Sequence, residues 1–418
     1  MRKNSVLKNI VMLYGFSIAK LIFPLLTLPY LTRVLSVDTY GVVGYVKSIM
    51  TYMQLIIDFG FMLSGTKEIV LKRDDKRELS KAIGDILSAR LVLCLTALVG
   101  LIILCFALPI LRSNIIYTLL SFVPIVMTVF LFDYVFRGLE KMQVITSRFI
   151  IMKGFSTVLT LVLVKSDTNL MFIPLLDIIG SIFAIILVVV EFKKIKITIA
   201  FTGIKAAFQK LKDSAVYFVS NIATTVGGAL STILIGAFMS ASDIAYWTAS
   251  MQLVNAVLAL YNPVVEGVYP NVVKNHNYNI IKKVATIFMP IIVCGCVFVF
   301  LFSKQIVTIA FGDKYLATAD IIKGLIPIFF FAFPAQLVGW PMLGTIGKAK
   351  QVTISTIIYG GFNIVGLMVL IVIKQFNLSL IVILRSLSEF ILFASRGLFC
   401  MRFKSLFNVY MKGEERID

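Results

Sequence analysis

Lys20 lies in the stretch FSIAKLIFPLLTLPYLTRVL, Phe16 to Leu35, within an apolar run from Ile10 to Leu31. On a helix both ends of that run are ~15 Å from the lysine. Its side chain reaches only ~6 Å, so snorkelling does not carry the charge out. An ammonium at that depth needs water or an opposite charge beside it, and the chemistry it offers is anion binding. Two surroundings satisfy this requirement: a water-accessible cavity, or an ion pair with Asp58 or another carboxylate of the spans.

Polar stripes favour the cavity. Ser17, Lys20, Pro24 and Thr27 share one helical face, as do Lys47, Thr51, Gln54 and Asp58. Farther along, Asn221, Thr225, Gly228 and Thr232 repeat the spacing, followed by Gln252, Asn255, Asn262 and Glu266. Lipid tolerates no such faces, so they are expected to converge on one cavity between two halves of the chain. Asp133 with Arg137, and Arg385 with Glu389, lie four apart and can pair along one helix. Arg90, Lys153, Lys323 and Arg396 lie nearer span ends, where snorkelling is expected to suffice. Asp177 and Glu266 have no partner in sequence and are open to two roles, a coupling acid or a hydrogen-bonded structural one.

The elements that must carry these residues are membrane spans. The chain has 418 residues, 59% of them hydrophobic, and only 15% are charged. A soluble fold has no interior for so much apolar side chain. Runs long enough to cross a bilayer recur near 8–32, 42–65, 82–107, 116–138, 148–164 and 171–191. They resume near 214–238, 246–270, 284–308, 322–343, 353–374 and 379–402. The expected fold is therefore an all-α polytopic membrane protein of about 12 transmembrane helices in two six-helix lobes. The first run continues directly into a second span with no small-residue cleavage site, unlike a signal peptide.

Charge supplies the orientation. The segment TKEIVLKRDDKRELSK after the second span holds six basic residues, and the connector Phe192 to Asp213 holds another six. The connectors on the opposite side hold few, so both termini are expected to be cytoplasmic. The net charge of +19 is then mainly a topology signal, and nucleic acid is not an expected partner. The implied organisation is an N-lobe over 1–191, a cytoplasmic amphipathic linker over 192–213, a C-lobe over 214–402 and a tail over 403–418. In the linker Ile204, Ala207, Phe208 and Leu211 fall at helical spacing among lysines. LSVDTYGVVGYVKS has a faint counterpart in MSASDIAYWTASMQ, as a parallel repeat of the two lobes would give.

Several function classes drop out. There is no GxxxxGK[ST] loop for nucleotide hydrolysis. The single histidine, His276, falls in a polar loop, so neither a histidine metal site nor a serine–histidine triad within the membrane is expected. Five cysteines without paired spacing imply no disulfide framework. No connector is long enough to house a sugar-transferring domain, which leaves transport.

LPYLTRVLSVDTYG, then IDFGFMLSGTKEI and a basic loop, resembles the start of bacterial polysaccharide flippases of the MATE-like superfamily of multidrug, oligosaccharidyl-lipid and polysaccharide exporters. FRGLEKMQVITSRFIIMKGFSTV, from Phe136, is similar to the family's fourth-to-fifth span region. The resemblance implies a multi-pass inner-membrane transporter that turns polyprenyl-pyrophosphate-linked oligosaccharides, for O-antigen or capsule, from the cytoplasmic to the periplasmic face. It also implies alternating access, no enzymatic cofactor, and a proton or sodium gradient as the energy source. Membrane lipids, a polysaccharide polymerase and chain-length proteins are the implied partners. Lys20, Lys47, Arg137 and Arg385 would then hold the pyrophosphate, with Asn221 and Asn255 on the sugars. Asp58, Asp177 and Glu266 are the candidates for ion coupling. A small-molecule exporter, a peptidoglycan-lipid flippase and a membrane polymerase or ligase remain as alternatives.

Overall fold

The computed structural model describes residues 2–275 and 278–411; His276 and the last residues of the tail lie outside them. The described chain is helical almost throughout, and no strand occurs among these residues. In order the helices are α1 (Arg2–Val34), α2 (Val37–Asp58), α3 (Phe61–Lys72), α4 (Lys76–Ala107), α5 (Pro109–Ser113), α6 (Ile115–Met127), α7 (Asp133–Gly138) and α8 (Met142–Leu163). They continue as α9 (Phe172–Ile195), α10 (Ile204–Phe238), α11 (Ala241–Asn275), α12 (Asn279–Phe311), α13 (Thr318–Leu337), α14 (Ala349–Val372), α15 (Leu378–Arg402) and α16 (Lys404–Met411).

Two compact units result, Met1–Ile222 and Ala223–Asp418, and their boundary falls inside α10. In the first unit α8 packs between α1 and α9, while α2 packs on α4 and α6, and α3 on α4 and α7. In the second, α13 is central, against α11, α12 and α15, with α14 on α15. Among the described residues ten helical stretches are long and apolar enough to cross a membrane. The seventh and eighth spans expected from the sequence fall on the helices α10 and α11, of 35 residues each. Among its described residues α10 includes the apolar stretch Ala229–Phe238.

Besides a kink at Phe302 in α12, three spans among the described residues break where an arginine reaches in, and these three follow the same logic. Hydrocarbon offers no water to a carbonyl released from the helical ladder, so a donor must come from the protein. The second span stops at Phe59 and Gly60, both left-handed, with φ 40° and 80°. Arg90 of α4 reaches across, donating to the Ile57 carbonyl at 3.4 Å and to the Asp58 carboxylate at 2.6 Å. The fourth span runs through a 3-10 turn, Thr128–Leu131, to left-handed Phe132. There Arg148 of α8 donates to the Leu131 carbonyl at 2.5 Å and to the carboxylate of Asp133. In the second unit α13 passes into a π-helical segment, Val338–Gly344, with a non-helical Gly339. Arg396 of α15 donates to the Ala335 carbonyl at 2.8 Å and to the hydroxyls of Ser355 and Thr356. Snorkelling therefore describes neither Arg90 nor Arg396: both are buried because broken backbone needs their protons.

The connector before α10 is strapped to the first unit. The Ala200 amide donates to the Ser80 carbonyl at 3.1 Å, and the Thr202 hydroxyl to Asp85 at 2.5 Å. Gly84 permits this approach, since a Cβ there would lie 2.2 Å from the Ala200 oxygen. The first turns of α10 then dock on α3. Ser214 is buried with its hydroxyl 2.7 Å from that of Ser64, and Lys210 pairs with Glu68 at 2.5 Å. The apolar face read from the sequence is thereby divided: Ala207 is buried, while Ile204 and Phe208 are exposed.

Gly60 is the tightest point of this packing. A Cβ on it would sit 2.6 Å from the Tyr217 Cβ and 2.9 Å from the Phe218 amide. Beside it the Phe59 and Phe218 rings stack at 4.3 Å. Gly60→Ala is expected to lose at least ~1–2 kcal/mol from the left-handed backbone alone, with the clash in addition. Gly100→Ala, with nothing within 4 Å of the new Cβ, is the control that should leave thermal stability of the purified protein unchanged.

Candidate functional site

The intramembrane charges sort into two groups, those neutralised by a partner and those left bare. Asp58 belongs to Arg90 and is not the partner of Lys20. Asp133 belongs to Arg148, so the expected pair with Arg137 on the same helix does not form. Its carboxylate is already taken by a neighbouring helix. Asp177 of α9 pairs with Lys153 of α8 at 2.8 Å and also accepts from Ser156 at 2.7 Å. Lys153 is thus engaged with a carboxylate and does not snorkel. The expected Arg385–Glu389 pair does form, at 2.9 Å, with each side chain 8% exposed. The Arg385 guanidinium also lies 5.3 Å from the Tyr359 ring centroid, so its charge is met on two sides.

Lys20, Lys47 and Arg137 remain. None has an ion pair among the described residues. Lys20 is exposed, with its Nζ 4.5 Å from the centroid of Phe16, one helical turn back. Phe16 is itself held edge-on against Phe149 of α8, with centroids 4.9 Å apart. Arg137 is half-buried on α7, and its buried Nε has no hydrogen-bond partner. The break at Phe132 restarts the helix that carries it. Lys20 and Arg137 are within Coulombic range of each other. Lys47, exposed on α2, is likewise within range of Lys153 and Asp177. Lys20 and Arg137, like charges near one another with no ion pair among the described residues, destabilise an empty site and favour an anion.

The neutral candidates divide between the units. Asn221 is half-buried near the end of the first unit's share of α10. The side chain of Thr225, on the same stripe, lies outside the described residues; Thr232 is buried and accepts from the Trp247 indole at 3.2 Å. On α11, Asn255, Asn262 and Glu266 are all exposed, forming a polar stripe on the second unit. Glu266 has no ion pair among the described residues. Gln54, from the stripe of the second span, donates to Thr128 at 3.2 Å and ties α2 to the fourth-span break. Sequence reasoning did not single out Arg148. Its acceptors, Leu131 and Asp133, come from another stretch of the chain, and no helical spacing links them to it.

These spans, breaks and bare cations define a multi-pass membrane protein of MATE-like transporter fold. Its fold matches an inward-facing MATE transporter of the MOP superfamily with TM-score 0.73 and 13% identity, over 94% of this chain and 98% of that one. The lipid II flippase MurJ, in an inward closed conformation, matches with TM-score 0.74 and 14% identity, over 97% of this chain and 90% of MurJ. The chain belongs to the polysaccharide biosynthesis protein family, whose profile matches residues 6–276. A Shigella dysenteriae protein named "Putative O-antigen transporter" is 26% identical over 79% of this chain and 83% of its own length. An Escherichia coli K12 protein of the same name is 24% identical over 68% of this chain and 69% of its own.

The division into neutralised and bare charges predicts different mutant behaviour. Arg385→Met should destabilise the protein by ~3–5 kcal/mol because it strands a buried carboxylate. The double variant Arg385→Met, Glu389→Met should recover most of that loss. Lys20→Met should leave stability nearly unchanged. Thermal denaturation in detergent checks all three.

Proposed function

We propose that this chain turns polyprenyl-pyrophosphate-linked oligosaccharide repeat units, for O-antigen or capsule, from the cytoplasmic to the periplasmic face of a bacterial inner membrane by alternating access. One observation carries the proposal: Lys20, Lys47 and Arg137 are cations on apolar helices of one unit, with no carboxylate partner among the described residues. A pyrophosphate cannot enter hydrocarbon without its hydration shell, and fixed ammonium and guanidinium groups replace that shell. The names of the two curated relatives support the same substrate class, and the flippase fold supports the same movement. Arg385 drops out of the head-group set because Glu389 already neutralises it.

Asn221, and Asn255 with its exposed neighbours on α11, offer amide partners for sugar hydroxyls. The polyprenyl tail stays in the surrounding lipid. Of the three coupling candidates, Asp58 and Asp177 are each held by a cation, which leaves Glu266 as the acid available to a proton or sodium ion. The basic connectors favour a cytoplasmic position for both termini. A polymerase and chain-length proteins would then receive the product on the other face.

The test is the sidedness of the lipid-linked oligosaccharide in sealed inner-membrane vesicles, read with a reagent that does not cross the bilayer. In a strain carrying Lys20→Ala the repeat units should be trapped on the cytoplasmic face, and Lys20→Arg should restore part of the export. Normal sidedness with well-expressed Lys20→Ala overturns the proposal. Repeat units that reach the periplasmic face but stay unpolymerised would move the protein to a step after transport.

A further inference from the structure

The ion pair beside Lys47 differs from the arginine contacts at the helix breaks. Arg90, Arg148 and Arg396 are buried and each donates to a backbone carbonyl at a helix break. Lys153 and Asp177 sit on α8 and α9, both continuous helices, and Lys153 caps no carbonyl. Their side chains are 36% and 28% exposed, against 8% for each member of the Arg385–Glu389 pair. Both contacts to Asp177, from Lys153 and Ser156, converge on one oxygen, Oδ1. Oδ2 accepts no hydrogen bond among the described residues. The buried phenol of Tyr117 on α6 is also in Coulombic range of Asp177. Two ammonium groups and one carboxylate leave a net single positive charge, partly open to the outside of the unit.

We propose that Lys153 is a further anion-binding residue, held beside Lys47 by Asp177 and Ser156, and that the Asp177 carboxylate weakens the site so that a bound oxyanion can leave. The inference rests on the head-group reading of Lys47. Lys20 and Arg137 carry no counter-charge and would grip an anion harder; the Lys47–Lys153–Asp177 cluster would hold a singly charged oxyanion loosely. Transport needs that balance, since a site that only binds does not conduct. Such an oxyanion has two sources, a phosphate of the carrier or the carboxylate of an acidic sugar.

The experiment uses the full-length protein in nanodiscs with two probes, farnesyl pyrophosphate and farnesyl-pyrophosphoryl glucuronate. Lys153→Met should weaken binding about tenfold, while Lys153→Arg keeps most of it. Asp177→Asn, which preserves shape and removes the charge, should tighten binding by a similar factor and slow flipping in vesicles. Opposite signs from two partners of one ion pair are the signature, because a purely structural pair moves both variants the same way, with melting temperature. Weakening of farnesyl pyrophosphate binding by Lys153→Met assigns the subsite to the carrier's phosphate; weakening confined to the glucuronate probe assigns it to an acidic sugar. Unchanged affinity for both probes, or parallel losses in both variants, overturns the inference. If Lys20→Ala fails to bind while Lys153→Met binds normally, only this inference falls; if Lys20→Ala also binds normally, the head-group reading falls with it.

Discussion

A helix that breaks inside a membrane releases carbonyls that nothing in the hydrocarbon can solvate, and this architecture depends on how that need is met. At Asp58, at Asp133 and at the π-helical segment of α13, a guanidinium from a neighbouring helix supplies the missing protons. Arginine suits the task, because its planar fork serves a carbonyl and a second acceptor at once and its charge does not titrate away. At the first two breaks that second acceptor is the aspartate at the break, which neutralises the charge the carbonyl cannot. The breaks are thus stable features of the first unit, fixed to α4 and α8.

That arrangement has a consequence for the remaining charges. Carboxylates are scarce in the spans, and the breaks absorb Asp58 and Asp133. Arg137 follows its break by one turn and loses the partner its spacing suggests, while Lys20 never acquires one. Cations are left bare because the nearby acids are committed to holding the backbone. A cationic surface can arise in this way without any residue being dedicated to exclude counter-ions, and Asp177 keeps a carboxylate within Coulombic range of Lys47.

Much of the fold was legible in the sequence because apolar run length is a strong signal that does not depend on partners. All-α architecture and most spans followed from it. Breaks were not legible: a run such as IDFGFMLSG reads as continuous helix unless the left-handed Gly60 and the distant Arg90 are known. Charge pairing was legible only where both partners lie on one helix, as for Arg385 and Glu389. Asp133 and Arg137 met the same spacing rule, and a residue from α8 won the competition. Pairings across helices are set by packing, which spacing along a chain does not encode. The family resemblance, carried by the first 160 residues or so, extends in the family match to residue 276.

The docking of α10 on α3 also bears on how the protein is made. Ser64 and Ser214, in contact through their hydroxyls, are separated by 150 residues of chain. At typical synthesis rates of ~5–20 residues per second, roughly 8–30 s pass between the emergence of one side of this contact and the other. Throughout that interval Gly60, Glu68 and the broken end of α2 stand without the segment that later covers them. The first unit therefore matures only when the chain has passed its own midpoint, and membrane quality-control proteases have their best access to it before then.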